Sequence, residues 1–300
     1  EYYANVYRQY ATFMNSGSGP DRIYRIASGA SDADYNWTEV LMRDIPHNML
    51  DAVGVHHYSV INWNKKGSAT GFSEEEYYTT MQRALQMEDL VEKHSAIMDK
   101  YDPRKRVAMV VDEWGGWYDV EPGTNGAFLF QQNTMRDAMI AGTTLNIFNN
   151  HCDRVKMANL AQIINVLQSV ILTNDEKMIL TPTYHVMEMY NVHQDATMLP
   201  ITVNSNDYIM GKEKLKAVSV SASKDKNGLT HISLVNIDAN KAQDISITLN
   251  GSNYTTLTGR ILTSDKIQNY NSFENPGKIQ PAPFTGAIIT DAKLKLTSFT

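Results

Sequence analysis

One carboxylate, Glu113, follows an apolar run and is surrounded by aromatic residues. Residues 107–111 read Val-Ala-Met-Val-Val, and a run without alternation is typical of a parallel strand buried on both faces. Trp114, Trp117 and Tyr118 follow Glu113 closely. An acid at the carboxyl end of such a strand can attack an anomeric carbon, and flat rings can support a sugar. We therefore predict a glycosidase nucleophile beside an aromatic platform; the alternative is a buried ion pair at Glu113 with tryptophans that only pack.

A second strand, residues 52–58, ends in His56-His57-Tyr58. Successive strand residues face opposite sides of a sheet, so His56 and Tyr58 are predicted to face the site together. His57 is then expected to pack between sheet and helix as a hydrogen-bonded core histidine, and we predict no metal site at this pair. The same alternation predicts that Asp112 points away from the site of Glu113.

Two further residues are candidates for sugar contact. Trp63 lies in a polar loop, residues 61–66, which favours an exposed stacking surface beside the substrate. Gln162 lies among apolar neighbours in residues 159–166, a pattern that predicts burial. A buried amide must find hydrogen-bond partners, so sugar recognition and structural bonding are both open for Gln162.

Helical and strand patterns alternate through about residue 180, which predicts βα units around a parallel sheet. Ser73 followed by three glutamates predicts a capped helix start. Helices are expected over residues 1–15, 36–42, 73–102 and 130–140. Strands are expected over residues 23–27, 52–58, 107–113 and 144–148.

From about residue 181 the pattern changes to short alternating strands separated by Asp, Asn and Gly turns. Examples are residues 215–222, 231–236 and 245–249. This predicts an antiparallel β domain. We place the boundary near residue 185, which gives domains at 1–185 and 186–300.

Length and composition narrow the class of protein. A chain of 300 residues suits one large barrel or two domains, and a net charge of −6 disfavours a nucleic-acid partner. The single cysteine, Cys152, excludes an internal disulfide, and no apolar run reaches the length of a membrane span. Residues 1–7 read as the interior of a helix, so we expect further sequence before Glu1.

Several ordered blocks resemble the α-L-arabinofuranosidases of glycoside hydrolase family 51. The resemblance implies the C-terminal half of a (β/α)8 TIM barrel, strands five to eight, followed by an antiparallel β-sandwich. It also implies release of terminal α-L-arabinofuranosyl residues from arabinan or arabinoxylan with retention of configuration, and no cofactor. The blocks are residues 56–58, 66–72, 111–114, 119–125, 146–149, 151–158 and 161–162.

The same resemblance implies roles for individual residues. Glu113 matches the nucleophile, and Tyr58 matches the tyrosine whose hydroxyl bonds that carboxylate. His56 matches a pocket histidine, Trp117 an aromatic wall, and Gln162 a glutamine that contacts the sugar.

The general acid/base of that family lies in an Asn-Glu pair near a Trp-Gly, and this motif is absent here. We therefore expect the isolated chain to hydrolyse poorly, and a missing N-terminal half to complete the barrel. The alternatives are another barrel glycosidase, such as a xylosidase or endoglucanase, and a non-catalytic carbohydrate-binding fragment whose residues 185–300 are an interaction module. The resemblance implies a homo-oligomer, while the compartment, cytoplasmic, periplasmic or secreted, stays open.

Overall fold

The computed structural model describes residues 1–14, 17, 19, 22–251, 254, 256–290 and 293–300. Helix α1 is shorter than predicted, since it ends at Phe13, and residue 15 of that prediction lies outside the described residues. No helix in the described part of the chain combines the length and apolar character needed to cross a bilayer. The α-helices of these residues are α1 (Tyr2–Phe13), α2 (Tyr35–Asp44), α3 (Glu74–Tyr101), α4 (Met135–Asn150) and α5 (Pro182–Met189).

Four parallel strands form one sheet in the order β1-β2-β3-β4. They are β1 (Ile26–Ser31), β2 (Ala52–Ser59), β3 (Ala108–Gly116) and β4 (Val155–Leu160). Helices α2, α3 and α4 connect successive strands, so the predicted βα alternation is confirmed. The central strands β2 and β3 are apolar and buried, because helices cover one face and neighbouring strands cover both edges.

The prediction of a strand at residues 144–148 is wrong, since these residues continue α4. The helix begins after Thr134, whose hydroxyl and the carboxylate of Asp137 form a capping box. Most of α4 is buried, so its apolar run lacks a polar face, and such a run does not distinguish a strand from a buried helix. The fourth strand is β4 instead. Strand β1 also begins later than the predicted residues 23–27.

The long helix α3 begins where its sequence predicts. The Ser73 hydroxyl accepts from the Glu76 backbone N–H at 3.2 Å, and the Glu76 carboxylate accepts from the Ser73 N–H at 2.7 Å. Asp102 ends the helix and accepts from the Val107 N–H at 2.7 Å. This bond fixes the entry into β3.

Bulges interrupt the sheet at one level across three strands. Ala27 pairs with Val53 and Ala30 with Val55, so β1 carries one extra residue there. The pairs between β2 and β3 shift in the same way next to Gly54. Bulges increase local twist and re-aim side chains, and here they lie directly before the carboxyl ends of the strands.

Beyond the parallel sheet the pairing of named strands is antiparallel. The predicted strand at residues 215–222 is divided between residues 213–216 and 218–224. The predicted strands at residues 231–236 and 245–249 correspond to residues 230–236 and 243–248, so the second begins two residues earlier than predicted. The strands are β5 (Ile171–Asn174), β6 (Lys177–Leu180), β7 (Thr197–Met198), β8 (Asp207–Met210), β9 (Glu213–Lys216), β10 (Val218–Lys224), β11 (Thr230–Asn236), β12 (Gln243–Thr248), β13 (Arg260–Ile261), β14 (Ala282–Pro283), β15 (Ala287–Thr290) and β16 (Lys293–Phe299).

The parallel and antiparallel parts share a buried core through α3 and α4. Tyr77 of α3 and Ile140 of α4 are fully buried in one cluster with Val235 and Ile237. The Tyr77 hydroxyl donates to the Ile237 carbonyl at 2.8 Å. The β region therefore packs against the helices that connect the site-bearing strands.

Candidate active site

Glu113 and Tyr58 meet at the carboxyl ends of β2 and β3. The Tyr58 hydroxyl donates a hydrogen bond to Glu113 Oε2 at 3.0 Å. Burial, and secondly this hydrogen bond, raise the pKa of Tyr58 above its usual value. The phenol therefore stays protonated and can donate, while the Glu113 side chain remains 47% exposed and can be reached by a substrate.

His56 lies between two carboxylates. Its Nδ1 is 3.9 Å from Glu113 Oε2, and its Nε2 is 3.2 Å from Asp112 Oδ1. The prediction that Asp112 points away from this site is wrong, because β3 needs three steps from Val110 to Glu113 where β2 takes two from Gly54 to His56. This bulge turns both acids toward one imidazole. A Cβ on Gly54 would lie 2.8 Å from Asp112 Oδ1, so glycine leaves room for that carboxylate.

An aromatic wall stands beside the carboxylate. The Trp117 ring lies 5.0 Å from the Tyr58 ring at 68°, and the Trp63 ring lies 5.6 Å from Trp117 at 77°. Trp63 is 54% exposed. The Lys66 ammonium lies 5.6 Å from the Trp117 ring centre. Accessible indole rings next to an acid can support a sugar ring, as the sequence predicts for Trp63 and Trp117.

Trp114 and Tyr118 do not belong to this wall, and their predicted place in the platform is wrong. Trp114 has no exposed surface, and its ring packs edge-on at 5.5 Å against Phe148 of α4. Tyr118 is equally buried and covers the Arg136 guanidinium at 3.5 Å. Trp114 follows Glu113 directly and points to the helix side of the sheet, so it serves the core.

A buried polar group behind the site was missed at the sequence level. Asp137 is buried and accepts hydrogen bonds from the Gln168 amide and the Thr134 N–H. Burial raises the pKa of Asp137. Gln168 packs against Gly115, whose φ of +136° favours glycine and where a Cβ would lie 2.5 Å from Gln168 Cγ. The sequence signal for this group is the Gly115-Gly116 pair. Through Gln168, the group fixes the backbone directly after Glu113.

His57 lies on the far side of β2, as predicted. It is 6% exposed, and its Nδ1 is 2.6 Å from Asp32 Oδ1. Its Nε2 is 2.8 Å from the Arg83 carbonyl of α3. The prediction of a hydrogen-bonded core histidine between sheet and helix is confirmed.

Gln162 is exposed, so its predicted burial is wrong. Its apolar neighbours Ile163 and Ile164 are themselves 68% and 44% exposed. The preceding residue, Ala161, donates its N–H to the Trp114 carbonyl at 3.3 Å. Gln162 therefore lies at the same end of the sheet as Glu113, with its side chain open to a ligand.

Two cavities lie in different parts of the described structure. A cleft of about 610 Å³ reaches from Tyr58 and Trp63 to Lys93 of α3. A more apolar cavity of about 340 Å³ lies between α4 and the β region, with Met139 and Val235 in its wall. The first cleft includes Tyr58 in its lining but not Glu113, so we assign the candidate site from the hydrogen bond between these two residues and not from either cavity.

Comparison with known proteins gives a consistent picture. Residues 112–298 match the family described as Alpha-L-arabinofuranosidase C-terminal domain. An intracellular exo-α-L-arabinofuranosidase of Bacteroides ovatus is 49% identical over 99% of this chain and 58% of its own length. The glycoside hydrolase family 51 arabinofuranosidase of Xanthomonas axonopodis pv. citri superimposes with a TM-score of 0.96 at 44% identity. That match covers 99% of this chain and 60% of the other.

A more distant solved structure has the same fold. The α-L-arabinofuranosidase of Thermotoga maritima, solved with arabinose, has a TM-score of 0.75 at 22% identity, covering 98% of this chain and 59% of that one. The chain thus spans about three fifths of the length of these relatives. Since the family match covers well over half of the chain, as the ordered sequence blocks predicted, this protein belongs to the α-L-arabinofuranosidase C-terminal domain family.

Proposed function

We propose that this chain is the nucleophile-bearing part of a retaining α-L-arabinofuranosidase that removes terminal arabinofuranosyl residues from arabinan or arabinoxylan. The observation that carries the proposal is the hydrogen bond from Tyr58 to an exposed Glu113 at the carboxyl edge of a parallel sheet. The name of the Bacteroides ovatus relative, an exo-acting intracellular enzyme, supports the terminal specificity and an intracellular compartment.

We propose further that β1 to β4 are strands five to eight of a (β/α)8 barrel, with the boundary to a β-sandwich near residue 185. Both edge strands of the sheet expose apolar side chains, which supports this proposal. Ile26 of β1 is 37% exposed and Met157 of β4 is 42% exposed. Tyr10 and Phe13 of α1 are also exposed. Open strand edges and apolar surface favour additional pairing, which an N-terminal half barrel would provide. Assembly of such whole chains into a homo-oligomer is part of the same proposal.

In the first chemical step Glu113 attacks the anomeric carbon, and the bond from that carbon to the leaving oxygen breaks. The Tyr58 hydroxyl is hydrogen-bonded to Oε2 of Glu113, which leaves Oε1 as the attacking atom. The leaving oxygen takes a proton from a second carboxylic acid, which we place in the N-terminal half. The product is an ester between Glu113 and the sugar.

In the second step water attacks the same carbon and gives its proton to that second carboxylate. The ester bond breaks, and the electron pair returns to Glu113. As charge returns to the carboxylate, the Tyr58 hydrogen bond strengthens and favours release. Trp63, Trp117, His56 and Gln162 are proposed to bind the sugar.

The test compares the chain alone with a chimera in which the N-terminal part of the Bacteroides ovatus relative precedes Glu1. We expect the chimera to hydrolyse 4-nitrophenyl α-L-arabinofuranoside with retention, seen by NMR of the first-formed sugar anomer. The chain alone should show no turnover. The matched variant Glu113→Gln of the chimera should remain folded and lose activity by several orders of magnitude.

Other outcomes decide between the alternatives. Faster hydrolysis of the β-D-xylopyranoside or a glucan than of the arabinofuranoside would assign a different barrel glycosidase. A chimera that binds arabino-oligosaccharides without cleaving them would leave the non-catalytic carbohydrate-binding function. An inverted product would contradict Glu113 as a nucleophile.

A further inference from the structure

Three metal-ligating side chains converge away from the arabinofuranoside site, near the amino end of β4. Glu88 and Glu92 lie one turn apart on α3, and His151 ends α4. One ligand atom from each lies within 4.8 Å of the others. We propose that Glu88, Glu92 and His151 bind one Zn²⁺ ion, which joins α3 to the turn between α4 and β4.

The side-chain chemistry fits this ion. Zn²⁺ binds imidazole nitrogen and carboxylate oxygen at about 2.0 to 2.2 Å, so two ligands of one tetrahedral ion lie about 3.4 Å apart. His151 and Glu88 are already in hydrogen-bond contact. The ligand atoms lie within 4.8 Å of one another, and the exposed Glu92 side chain can rotate inward by the remaining distance of about 1.4 Å. Hard ions such as Mg²⁺ prefer all-oxygen sites, so the imidazole favours zinc.

The charges of the cluster also favour a cation. Two glutamates four residues apart on one helix face repel each other. The His151 ring nitrogen contacts Glu88, whereas Glu92 forms no ion pair among the residues that the structure describes. A divalent ion would compensate both carboxylates at once, which a single imidazolium does less completely.

The backbone already holds His151 in place. The His151 N–H donates to the Ile147 carbonyl at 3.0 Å, and the His151 carbonyl accepts from the Val155 N–H at 2.9 Å. The ligand is therefore fixed at the junction of α4 and β4. This end of a βα sheet generally serves stability, so we infer a structural ion that strengthens the contact of α3 with α4.

The test is a calorimetric titration of ZnCl₂ into the chelator-treated chain at pH 7.5. We expect one ion per chain with micromolar or tighter affinity and a higher melting temperature with zinc. Glu92→Gln retains the pair of His151 with Glu88 but removes one ligand, and it should weaken binding at least about tenfold. His151→Ala should weaken it as much or more.

Asp89→Asn is the matched control, because Asp89 lies between the two ligands on α3 but pairs with Lys93 at 3.1 Å. It should bind zinc like the unaltered chain. Absence of saturable binding overturns the proposal, as does equal zinc affinity of Glu92→Gln and the control. The readout does not involve hydrolysis, so its failure leaves the proposed function untouched.

Discussion

Replacing Tyr58 by phenylalanine removes one hydroxyl and leaves the ring. The hydroxyl donates to Glu113 Oε2 at 3.0 Å, and the ring keeps its edge contact with Trp117 at 5.0 Å. A hydrogen bond to a charged group contributes about 1.5 to 3 kcal/mol. Each 1.4 kcal/mol on a barrier changes a rate about tenfold.

The two chemical steps should respond differently. In the first step Glu113 loses charge, so the ionised ground state is affected more than the transition state. In the second step charge returns to Glu113, and the missing donor raises that barrier. We therefore expect breakdown of the glycosyl ester to slow about tenfold to a hundredfold. The ester then accumulates, and kcat and KM fall together.

The assay is stopped-flow hydrolysis of 4-nitrophenyl α-L-arabinofuranoside by the chimera, where a burst of nitrophenol precedes slow turnover. Tyr101→Phe is the matched control, because the Tyr101 hydroxyl donates to Glu39 Oε1 at 2.6 Å between α3 and α2. It should show neither burst nor change in kcat. A kcat of Tyr58→Phe within twofold of the unaltered chimera would refute the role of the hydroxyl.

Three further predictions concern stability, each measured by urea denaturation of the chain. Desolvation lowers the pKa of His193 from 6.5 to about 4, so its neutral form stabilises the fold above pH 6.5 and that stability is lost as the pH falls toward 4. His193→Gln should reduce this acid-induced loss of stability by up to about 3 kcal/mol, and identical pH profiles would contradict this. Ser73→Ala should cost about 1 kcal/mol through the lost helix cap, and an unchanged unfolding midpoint would argue against the capping box. Gly29→Ala should prevent correct pairing of β1 with β2, because its Cβ would lie 1.3 Å from the Gly54 carbonyl oxygen. Gly126→Ala, whose Cβ would have no atom within 4 Å, should leave stability unchanged. Equal stability of the two variants would contradict the close approach of Gly29 to Gly54.

Local signals predicted much of this fold. The cap at Ser73 and the apolar run before Glu113 each specify one element, and both lie where the sequence indicates. Two-residue periodicity also placed His56 and Tyr58 on one side of β2 and His57 on the other. These features depend on neighbours along the chain, so they can be recognised without tertiary contacts.

Other features depend on contacts that are distant in sequence. The orientation of Asp112 depends on an unequal register between β2 and β3, which no residue pattern in β3 encodes. Residues 144–148 read as a strand because α4 is buried on nearly all sides by both parts of the molecule. The sequence predicts Trp114 as part of a sugar-binding platform, but its ring packs in the core against Phe148 of α4. In each case packing against a remote element decided the outcome.

The joint cluster around Tyr77 and Ile237 has a practical meaning for dissecting the molecule. A cut near residue 185 would strip Tyr77 and Ile140 of their cover and leave the Tyr77 hydroxyl without its acceptor. Excised halves should therefore aggregate or lose cooperative melting. Exchange of the β region between homologous proteins will require transplanting the outer faces of α3 and α4 along with it.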